Sequence, residues 1–217
     1  MHFATPGWDL ALFRLLNGQA RAAFLDLALP VFSMTWLIWV LGVAAFVLAA
    51  RRIGVARVLP VALCLVLAVG LADGTTSVMK TTFGRQRPLN TLPGAWFHED
   101  GRWQQRPADF APDLEPGSSY SSGHAANTMA AAAFLLLALW RQDRRRLAWL
   151  LCLPLLTGWS RVYLGKHYPT DVMAGWIVGL FAALVVWGVV WRFARPRLAA
   201  RFSARLGPWL GGRDALP

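Results

Sequence analysis

The chain has 217 residues, of which 56% are hydrophobic, and its formal net charge is +11. This apolar fraction excludes an ordinary soluble domain, and the length is too small for several domains. The basic residues lie in short blocks between apolar runs, so their charge indicates membrane orientation rather than a nucleic-acid partner. We therefore predict one integral membrane domain over residues 1–217 that binds no nucleic acid.

Residues 8–29 mix apolar and charged side chains, whereas a membrane span needs about 20 mostly apolar residues. This segment is predicted to form short amphipathic helices that lie in the membrane interface. Five later stretches are apolar enough to cross. They cover residues 31–50, 55–82, 124–140, 147–163 and 169–193. The predicted fold class is therefore all-α, a polytopic membrane helix bundle of about five spanning helices with an N-terminal interfacial segment.

Residues 89–120 are polar and rich in Pro and Gly, which predicts a long loop outside the membrane. Aromatic residues interrupt this polar loop. They are Trp96, Phe97, Trp103 and Phe110. Aromatic side chains are frequent at membrane surfaces, so we expect the loop to lie on the membrane and to help admit a lipid.

The predicted spans divide the basic residues unequally between the two sides of the membrane. Thirteen of the 22 Lys and Arg residues fall on one side and seven on the other. By the positive-inside rule, the side with thirteen is cytoplasmic. The conspicuous polar motifs all fall on the opposite, outward-facing side.

The first of these motifs lies between the last two predicted spans, where Arg161, His167 and Asp171 follow one another closely. Pro169 suits the first position of a helix, so the segment reads as a turn that leads into a helix start. Asp171 can then hold one nitrogen of the His167 ring and leave the other free to attack phosphorus. The alternative is a loop histidine held by a neighbouring carboxylate for structure alone.

The second motif, Lys80 to Pro88, ends the second predicted span. Lys80 and Arg87 are about two helical turns apart, but Pro88 biases Arg87 away from helical backbone. The chain can therefore bend and bring both cations onto one anion. We interpret the intervening Arg85 as a cation that extends to the interface at a helix end.

The third motif, Tyr120 to Thr128, opens the third predicted span. Ser121 or Ser122 can cap the helix, and Gly123 lets the backbone approach a ligand. A helix N-terminus binds phosphate readily, and His124 lies where it can protonate a leaving oxygen. The alternative is a capping serine followed by an interfacial histidine.

One acidic residue lies inside a predicted span. Asp73 precedes Lys80 by seven residues and falls on nearly the same helix face. We expect it to support Lys80 or to pair with Ser77 rather than to contact phosphate. No spacing of His, Cys or acidic residues resembles a metal site.

Together, Lys80-x6-Arg87-Pro88, Ser122-Gly123-His124 and Arg161-x5-His167-x3-Asp171 resemble the three-part signature of the type 2 phosphatidic acid phosphatase superfamily. This superfamily includes bacterial lipid phosphatases and vanadium haloperoxidases. The resemblance extends from Lys80 to Asp171. One position departs from the pattern, since Ser121 stands where the family usually has proline.

The resemblance implies a role for each motif residue. His167 forms a phosphohistidine, Asp171 orients it and His124 is the general acid. Cations, a hydroxyl and an amide hold the phosphate. The implied phosphate ligands are Lys80, Arg87, Arg161, Ser122 and Gly123. No metal or other cofactor is implied.

The resemblance also implies a metal-independent lipid phosphatase in the bacterial inner membrane, with its active site facing the periplasm. Undecaprenyl diphosphate is the first expected substrate; phosphatidylglycerophosphate, phosphatidate and lipid A 1-phosphate are alternatives, as is phosphoryl transfer between lipids. A transporter of anionic lipids would need paired broken helices in two related halves, which the sequence does not show. The expected partners are a lipid phosphate and membrane lipids, and the sequence predicts no oligomeric state.

Overall fold

The structure, a computed structural model, describes residues 5–112 and 117–194, apart from the side chains of residues 141–144, 146 and 194. Some of the arginines that set the predicted orientation fall outside this description. They are Arg141, Arg144, Arg146, Arg195, Arg197, Arg201, Arg205 and Arg213.

The N-terminal segment forms two short helices, α1 (Gly7–Arg14) and α2 (Ala23–Ala28). A π-helical turn (Leu15–Gln19) extends α1, and a 3-10 turn (Leu29–Ser33) follows α2. The chain leaves helical geometry between them, so no single helix is long enough to cross a membrane. This agrees with the short helices predicted for residues 8–29.

Four long helices dominate the described part of the chain. They are α3 (Thr35–Ile53), α4 (Val55–Phe83), α6 (Gly123–Ala148) and α8 (Pro169–Val185), which a π-helical stretch (Val186–Ala194) continues. Each contains a segment that is long and apolar enough to cross a membrane. This confirms the predicted all-α membrane bundle.

The predicted span over residues 147–163 differs from the other four. A 3-10 turn (Trp149–Leu151) separates the end of α6 from α7 (Cys152–Tyr163). Pro154 explains the break, because proline lacks an N–H and its ring clashes with the carbonyl of the preceding turn. The 12 residues of α7 extend only about 18 Å. In the described residues, four helices rather than five therefore meet the length of a span.

The segment after α4 is more ordered than the predicted loop. It contains a short helix, α5 (Pro88–Thr91), and an antiparallel hairpin of β1 (Trp96–Glu99) and β2 (Arg102–Gln105). The hairpin turns at Asp100 and Gly101, whose φ angles are 51° and 75°. Positive φ at both central residues defines the two-residue turn that matches the twist of a hairpin. Parts of the predicted loop therefore have regular secondary structure.

Two aromatic side chains of the hairpin pack against other parts of the protein. Phe97 is buried, and the ring of Trp103 packs edge-on against Tyr163 at 5.6 Å between ring centres. The guanidinium of Arg21 lies over the same Trp103 ring, 4.1 Å from its centre. These contacts hold the hairpin against the N-terminal segment and the end of α7. The lipid contact expected for this loop stays a prediction.

Helices α6 and α8 are in main-chain contact. A Cβ atom at Gly175 would lie 2.5 Å from the Ser122 carbonyl oxygen, and one at Gly179 would lie 2.2 Å from that of Ala126. Only residues without a side chain permit this distance, as in other membrane helix pairs joined by small residues. The contact fixes the position of the N-terminus of α6 relative to that of α8.

Substitution of Gly179 by alanine should therefore separate the two helices. The new methyl group would overlap main-chain atoms, and overpacking of this kind costs about 1–3 kcal/mol. We expect a lower melting temperature in detergent and a loss of catalytic activity. Gly188→Ala is the matched control, because a Cβ atom there meets no atom within 4 Å. Equal behaviour of the two variants would show that the contact is unimportant.

The polar motifs meet at one end of the bundle. The Ser122 amide, before α6, donates to the carbonyl of Asp171 at the start of α8. The Asn17 side-chain amide donates to the carbonyl of Tyr163 at the end of α7, and the Leu89 amide donates to the carbonyl of Gly165. The C-termini of α4 and α7 therefore lie beside the N-termini of α6 and α8.

Candidate active site

His167 lies in the turn between α7 and α8. The amides of Lys166 and His167 both donate to the carbonyl of Arg161, which closes the end of α7. Gly165 has a φ of 70°, and a Cβ atom there would lie 2.4 Å from the Trp96 carbonyl oxygen. Helix α8 begins at Pro169. The predicted turn followed by a helix start is confirmed.

The His167 ring is 2% exposed, and its Nδ1 lies 2.8 Å from the carbonyl oxygen of Ser119. A carbonyl only accepts hydrogen bonds, so Nδ1 carries the proton and Nε2 keeps its lone pair. The nearer carboxylate oxygen of Asp171 is 3.8 Å from Nδ1. Nδ1 therefore donates to a main-chain carbonyl rather than directly to Asp171 as predicted.

Burial lowers the pKa of His167 to about 4. The negative charge of nearby Asp171 opposes this shift, whereas the positive charges of Arg161 and Arg87 reinforce it. The ring is therefore neutral at neutral pH. A neutral imidazole with an unprotonated Nε2 is the form that can act as a nucleophile.

The Asp171 carboxylate is buried and fully engaged. Its Oδ1 accepts a hydrogen bond from Arg85 at 2.5 Å, and its Oδ2 accepts from the Ser119 hydroxyl at 2.5 Å and the Tyr168 amide at 2.9 Å. Ser119 thus contacts Asp171 through its hydroxyl and His167 through its carbonyl. The link from Asp171 to the nucleophile candidate is indirect and passes through Ser119.

Arg85 corrects a prediction. It is 3% exposed and does not extend to the interface as expected, because Gly84 adopts left-handed backbone (φ 55°) and turns the chain inward. Its guanidinium pairs with Asp171 on one side and with Asp9, at 2.7 Å, on the other. It also stacks over the Tyr168 ring at 4.0 Å from the ring centre.

The predicted phosphate-binding cations lie next to this network. Arg87 has extended backbone before Pro88, as predicted, and its Nη2 donates to the Ser118 hydroxyl at 3.3 Å. The charges of Arg87 and Arg161 act on each other and on Lys80. Within residues 5–112 and 117–194, no carboxylate lies within 4 Å of either arginine side chain.

Several buried donors of these residues have no protein partner. The Nε atoms of Arg87 and Arg161 and the hydroxyl of Ser122 make no hydrogen bond in the part of the chain that the structure describes. Buried polar groups normally find partners, and donors left over around a cluster of cations suit an anionic ligand. Gly123 lies beside them, since a Cβ atom there would be 3.3 Å from the Lys80 ammonium.

His124 occupies the first turn of α6, which begins at Gly123. In the described residues, neither Ser121 nor Ser122 caps this helix through its hydroxyl, which differs from the predicted cap. Its Nε2 lies 3.0 Å from the Thr35 hydroxyl at the start of α3. The charges of Arg161, His167 and Lys80 all act on the His124 ring. The structure therefore brings both histidines to the same cluster of cations.

Asp73 is exposed at its position on α4 and accepts a hydrogen bond from the Asn127 side-chain amide at 3.0 Å. This differs from the predicted pairing with Ser77. Its charge acts on Lys80, as expected. Among the described residues, no group of three or more His, Cys, Asp or Glu side chains could hold a metal ion.

Three residues of the site escaped the sequence analysis. Ser119 acts mainly through its carbonyl, which no side-chain pattern reveals. Thr35 and Asp9 lie 89 and 76 residues from their partners His124 and Arg85, so local spacing could not pair them. The one available signal was the acidic residue in the first turn of α1, on a segment otherwise rich in apolar side chains.

The predicted site residues lie in one region of the structure. The charges of Arg87 and Arg161 act on the neutral imidazole of His167, and those of Arg161 and Lys80 act on His124. Phosphoryl transfer requires mainly positioning and charge stabilisation of this kind.

The comparisons with known proteins agree with this chemistry. Undecaprenyl-diphosphatase of Sulfolobus acidocaldarius is 28% identical over 179 residues, which cover 80% of this chain and 74% of the relative. Phosphatidylglycerophosphatase B of Bacillus subtilis is 34% identical over 119 residues, or 51% of this chain and 56% of the relative.

The fold has a counterpart among solved structures. The crystal structure of Aquifex aeolicus LpxE aligns with a TM-score of 0.64 at 24% identity, covering 87% of this chain and 99% of that chain. The model of the PAP2 superfamily matches residues 61–195, a range that contains all eight predicted site residues. Since this match covers more than half of the sequence, the chain belongs to the PAP2 superfamily.

Proposed function

We propose that this protein hydrolyses a phosphomonoester or diphosphate of a membrane lipid through a phosphohistidine formed on His167. Its family and its named relatives support a membrane lipid phosphatase. One observation carries the mechanism. Among the described residues, donors of Arg87, Arg161 and Ser122 have no partner, and the charges of both arginines act on a ring whose Nδ1 is engaged and whose Nε2 keeps its lone pair.

In the first step, Nε2 of His167 attacks phosphorus, and the bond from phosphorus to the lipid-side oxygen breaks. The departing oxygen takes the electron pair and a proton from His124. Lys80, Arg87 and Arg161 stabilise the charge on the phosphoryl oxygens, while the Ser122 hydroxyl and the Gly123 amide donate hydrogen bonds. The ring becomes cationic, and Asp171, 3.8 Å from Nδ1, stabilises that charge.

In the second step, water attacks the phosphohistidine. His124, now neutral, accepts a proton from this water, because the acid of one step becomes the base of the next. The bond from phosphorus to Nε2 breaks and returns its electron pair to the ring. Inorganic phosphate leaves, and both histidines regain their starting protonation states.

Undecaprenyl diphosphate is the substrate that we propose first, since one relative carries that substrate in its name. We place the site at the periplasmic face of the inner membrane, because most basic residues of the sequence fall on the other side. A membrane-impermeant maleimide should label Gln104→Cys, on the hairpin, in intact spheroplasts. Labelling only after lysis would reverse this orientation.

Substrate and mechanism can be tested with protein purified in detergent and incubated with chelator. The panel comprises undecaprenyl diphosphate, phosphatidylglycerophosphate, phosphatidate and lipid A 1-phosphate. Release of inorganic phosphate identifies a hydrolase, whereas a newly phosphorylated lipid identifies a phosphotransferase. Quenching with 32P-labelled substrate should trap a phosphoenzyme that is labile in acid and stable in base. Turnover without such an intermediate would indicate direct attack by water.

The low pKa of His167 predicts an unusual acid limit for activity. The nucleophile must be neutral, so kcat/KM should fall with decreasing pH only below about pH 5, as pH approaches the pKa of about 4. An unperturbed histidine would impose this fall near pH 6.5. The pH profile should be measured with two substrates whose phosphate pKa values differ. An ionisation of the enzyme appears at the same pH in both profiles, whereas an ionisation of the substrate does not. A shared fall near pH 6.5 would contradict the assignment.

A further inference from the structure

Asp9 is a buried carboxylate that the proposed mechanism does not use. It lies in the first turn of α1, in the segment expected only to rest at the membrane interface, and it is 0% exposed. Its Oδ2 accepts hydrogen bonds from Arg85 at 2.7 Å and from the Thr170 hydroxyl at 2.6 Å, and its Oδ1 accepts from the Thr170 amide at 2.9 Å. Burial of a carboxylate costs free energy unless partners compensate for the lost water, and these hydrogen bonds do so.

A continuous series of contacts connects Asp9 with the nucleophile. Arg85 donates to Asp9 through Nη2 and to Asp171 through Nη1. Asp171 accepts from the hydroxyl of Ser119, whose carbonyl accepts from Nδ1 of His167. The Ser119 amide also donates to the main-chain carbonyl of Arg85, at 2.9 Å. Arg85 therefore contacts the support of His167 through both its side chain and its backbone.

Asp9 has a second route to the site through α8. Thr170 is the second residue of that helix, where amides have no partner within the helix. Asp9 accepts the hydrogen bond of this amide from a different part of the chain. Asp171 lies in the first turn of α8, close after His167. Asp9 therefore contacts two neighbours of Asp171, which are Arg85 and Thr170.

We propose that Asp9 is a positioning residue for the nucleophile, and that the N-terminal segment thereby completes the active site. It shares the Arg85 guanidinium with Asp171 and keeps it centred between two carboxylates. Without the charge of Asp9, Arg85 is drawn towards Asp171. A shift of Arg85 moves the Asp171 carboxylate, whose other oxygen accepts from Ser119, and Ser119 holds His167. This inference rests on the function proposed above.

Asp9→Asn tests the proposal, because it keeps the shape of the side chain and removes its charge. Asp9 does not face the phosphate-binding cations, so KM should stay within about threefold. Misplacement of a reacting group by a fraction of an ångström to 1 Å can cost up to about 100-fold, so kcat should fall about 10- to 100-fold. Phosphoenzyme formation should slow by the same factor in a rapid-quench experiment.

Asp26→Asn is the matched control. Asp26 lies on the same N-terminal segment, where it pairs with Arg21 and accepts a hydrogen bond from the Tyr163 hydroxyl at 2.6 Å, but it does not contact Arg85. Its loss should lower the melting temperature without lowering kcat at a temperature where the protein is folded. An equal loss of kcat in both variants would assign the effect to general anchoring and overturn the proposal.

Asp9→Glu decides the question if Asp9→Asn does not fold. It retains the charge on a longer side chain and must displace Arg85, so kcat should again fall at nearly constant KM. Unchanged kcat in either folded variant would overturn the role of Asp9. His167→Ala serves as the reference throughout. If His167→Ala remains active, the proposed function fails; if it is inactive while Asp9→Asn is normal, only the present inference fails.

Discussion

Replacement of His167 by alanine is expected to reduce phosphate release at least about 10⁴-fold, the largest effect of any single substitution. Removal of the catalytic nucleophile lowers the rate by this order in other enzymes, because the remaining groups then assist only direct attack by water. The ring is fixed by Ser119 and buried, so neither solvent nor a mobile side chain can take its place. The measurement is single-turnover phosphate release together with phosphoenzyme trapping.

His98→Ala is the control for this substitution. His98 lies on the hairpin, where its ring packs against Trp103 at 5.0 Å between ring centres, away from the cluster of cations. It should leave turnover within a few-fold of the unmodified protein. A His167→Ala protein that still forms a phosphoenzyme would show that another residue is the nucleophile, and His124 would be the next candidate.

Substitution of Arg161 or Arg87 by lysine is expected to lower kcat/KM by about 10²–10³-fold, which is the second-largest effect. Lysine keeps the positive charge but loses the planar fork that matches phosphate geometry. The Nε atoms of both arginines are buried and have no partner among the residues that the structure describes, so each offers the ligand donors that lysine cannot supply in the same directions. Loss of one fixed donor to a transition-state oxyanion commonly costs this much.

Arg102→Lys is the matched control, since Arg102 is exposed on β2. Its kcat/KM should be unchanged. Alanine substitutions at Arg87 and Arg161 should be more damaging than lysine, because they also remove the charge. If lysine and arginine are equivalent at both positions, the bidentate contact does not exist and the cations act only as point charges.

The placement of the site followed from the sequence because its motifs lie at helix ends. Lys80 and Arg161 end apolar segments, whereas His124 and Asp171 begin them, so alternation of the five predicted segments puts all four at one side, and the short helix α7 still returns the chain to that side. Local rules were enough for these residues. The backbone around Pro88 and Pro169 was equally predictable, since proline restricts both itself and the residue before it.

The same local rules failed for Arg85. A cation at a helix end usually extends to the interface, but here two carboxylates lie 76 and 86 residues away in sequence. Tertiary contacts with Asp9 and Asp171 override the local preference, and one sequence alone contains no information about such pairs. The hydrogen bond from His167 to the Ser119 carbonyl was unpredictable for a related reason, since main-chain acceptors are present at every residue.

The hairpin and the break before α7 each have a recognisable residue pattern in the sequence. Asp100-Gly101 is a strong hairpin turn when extended residues flank it, and the hairpin of β1 and β2 forms around it. Pro154 marks a break in the helical stretch before α7. In both places the prediction followed the overall polarity of the segment, polar in one and apolar in the other. The effect of a single residue on the backbone was given too little weight.

The main-chain contact of α6 with α8 has a consequence for how the protein meets its surroundings. His124 and Asp171 are spaced by touching backbones at Gly175 and Gly179, whereas α3 has no buried residue at all. A change in bilayer thickness or in the isoprenoid or acyl tail of a ligand would therefore tilt the outer helix first. Apart from the contact of Thr35 with His124, the spacing of α6 and α8 does not depend on α3, so we expect turnover to vary little among host membranes that differ in depth.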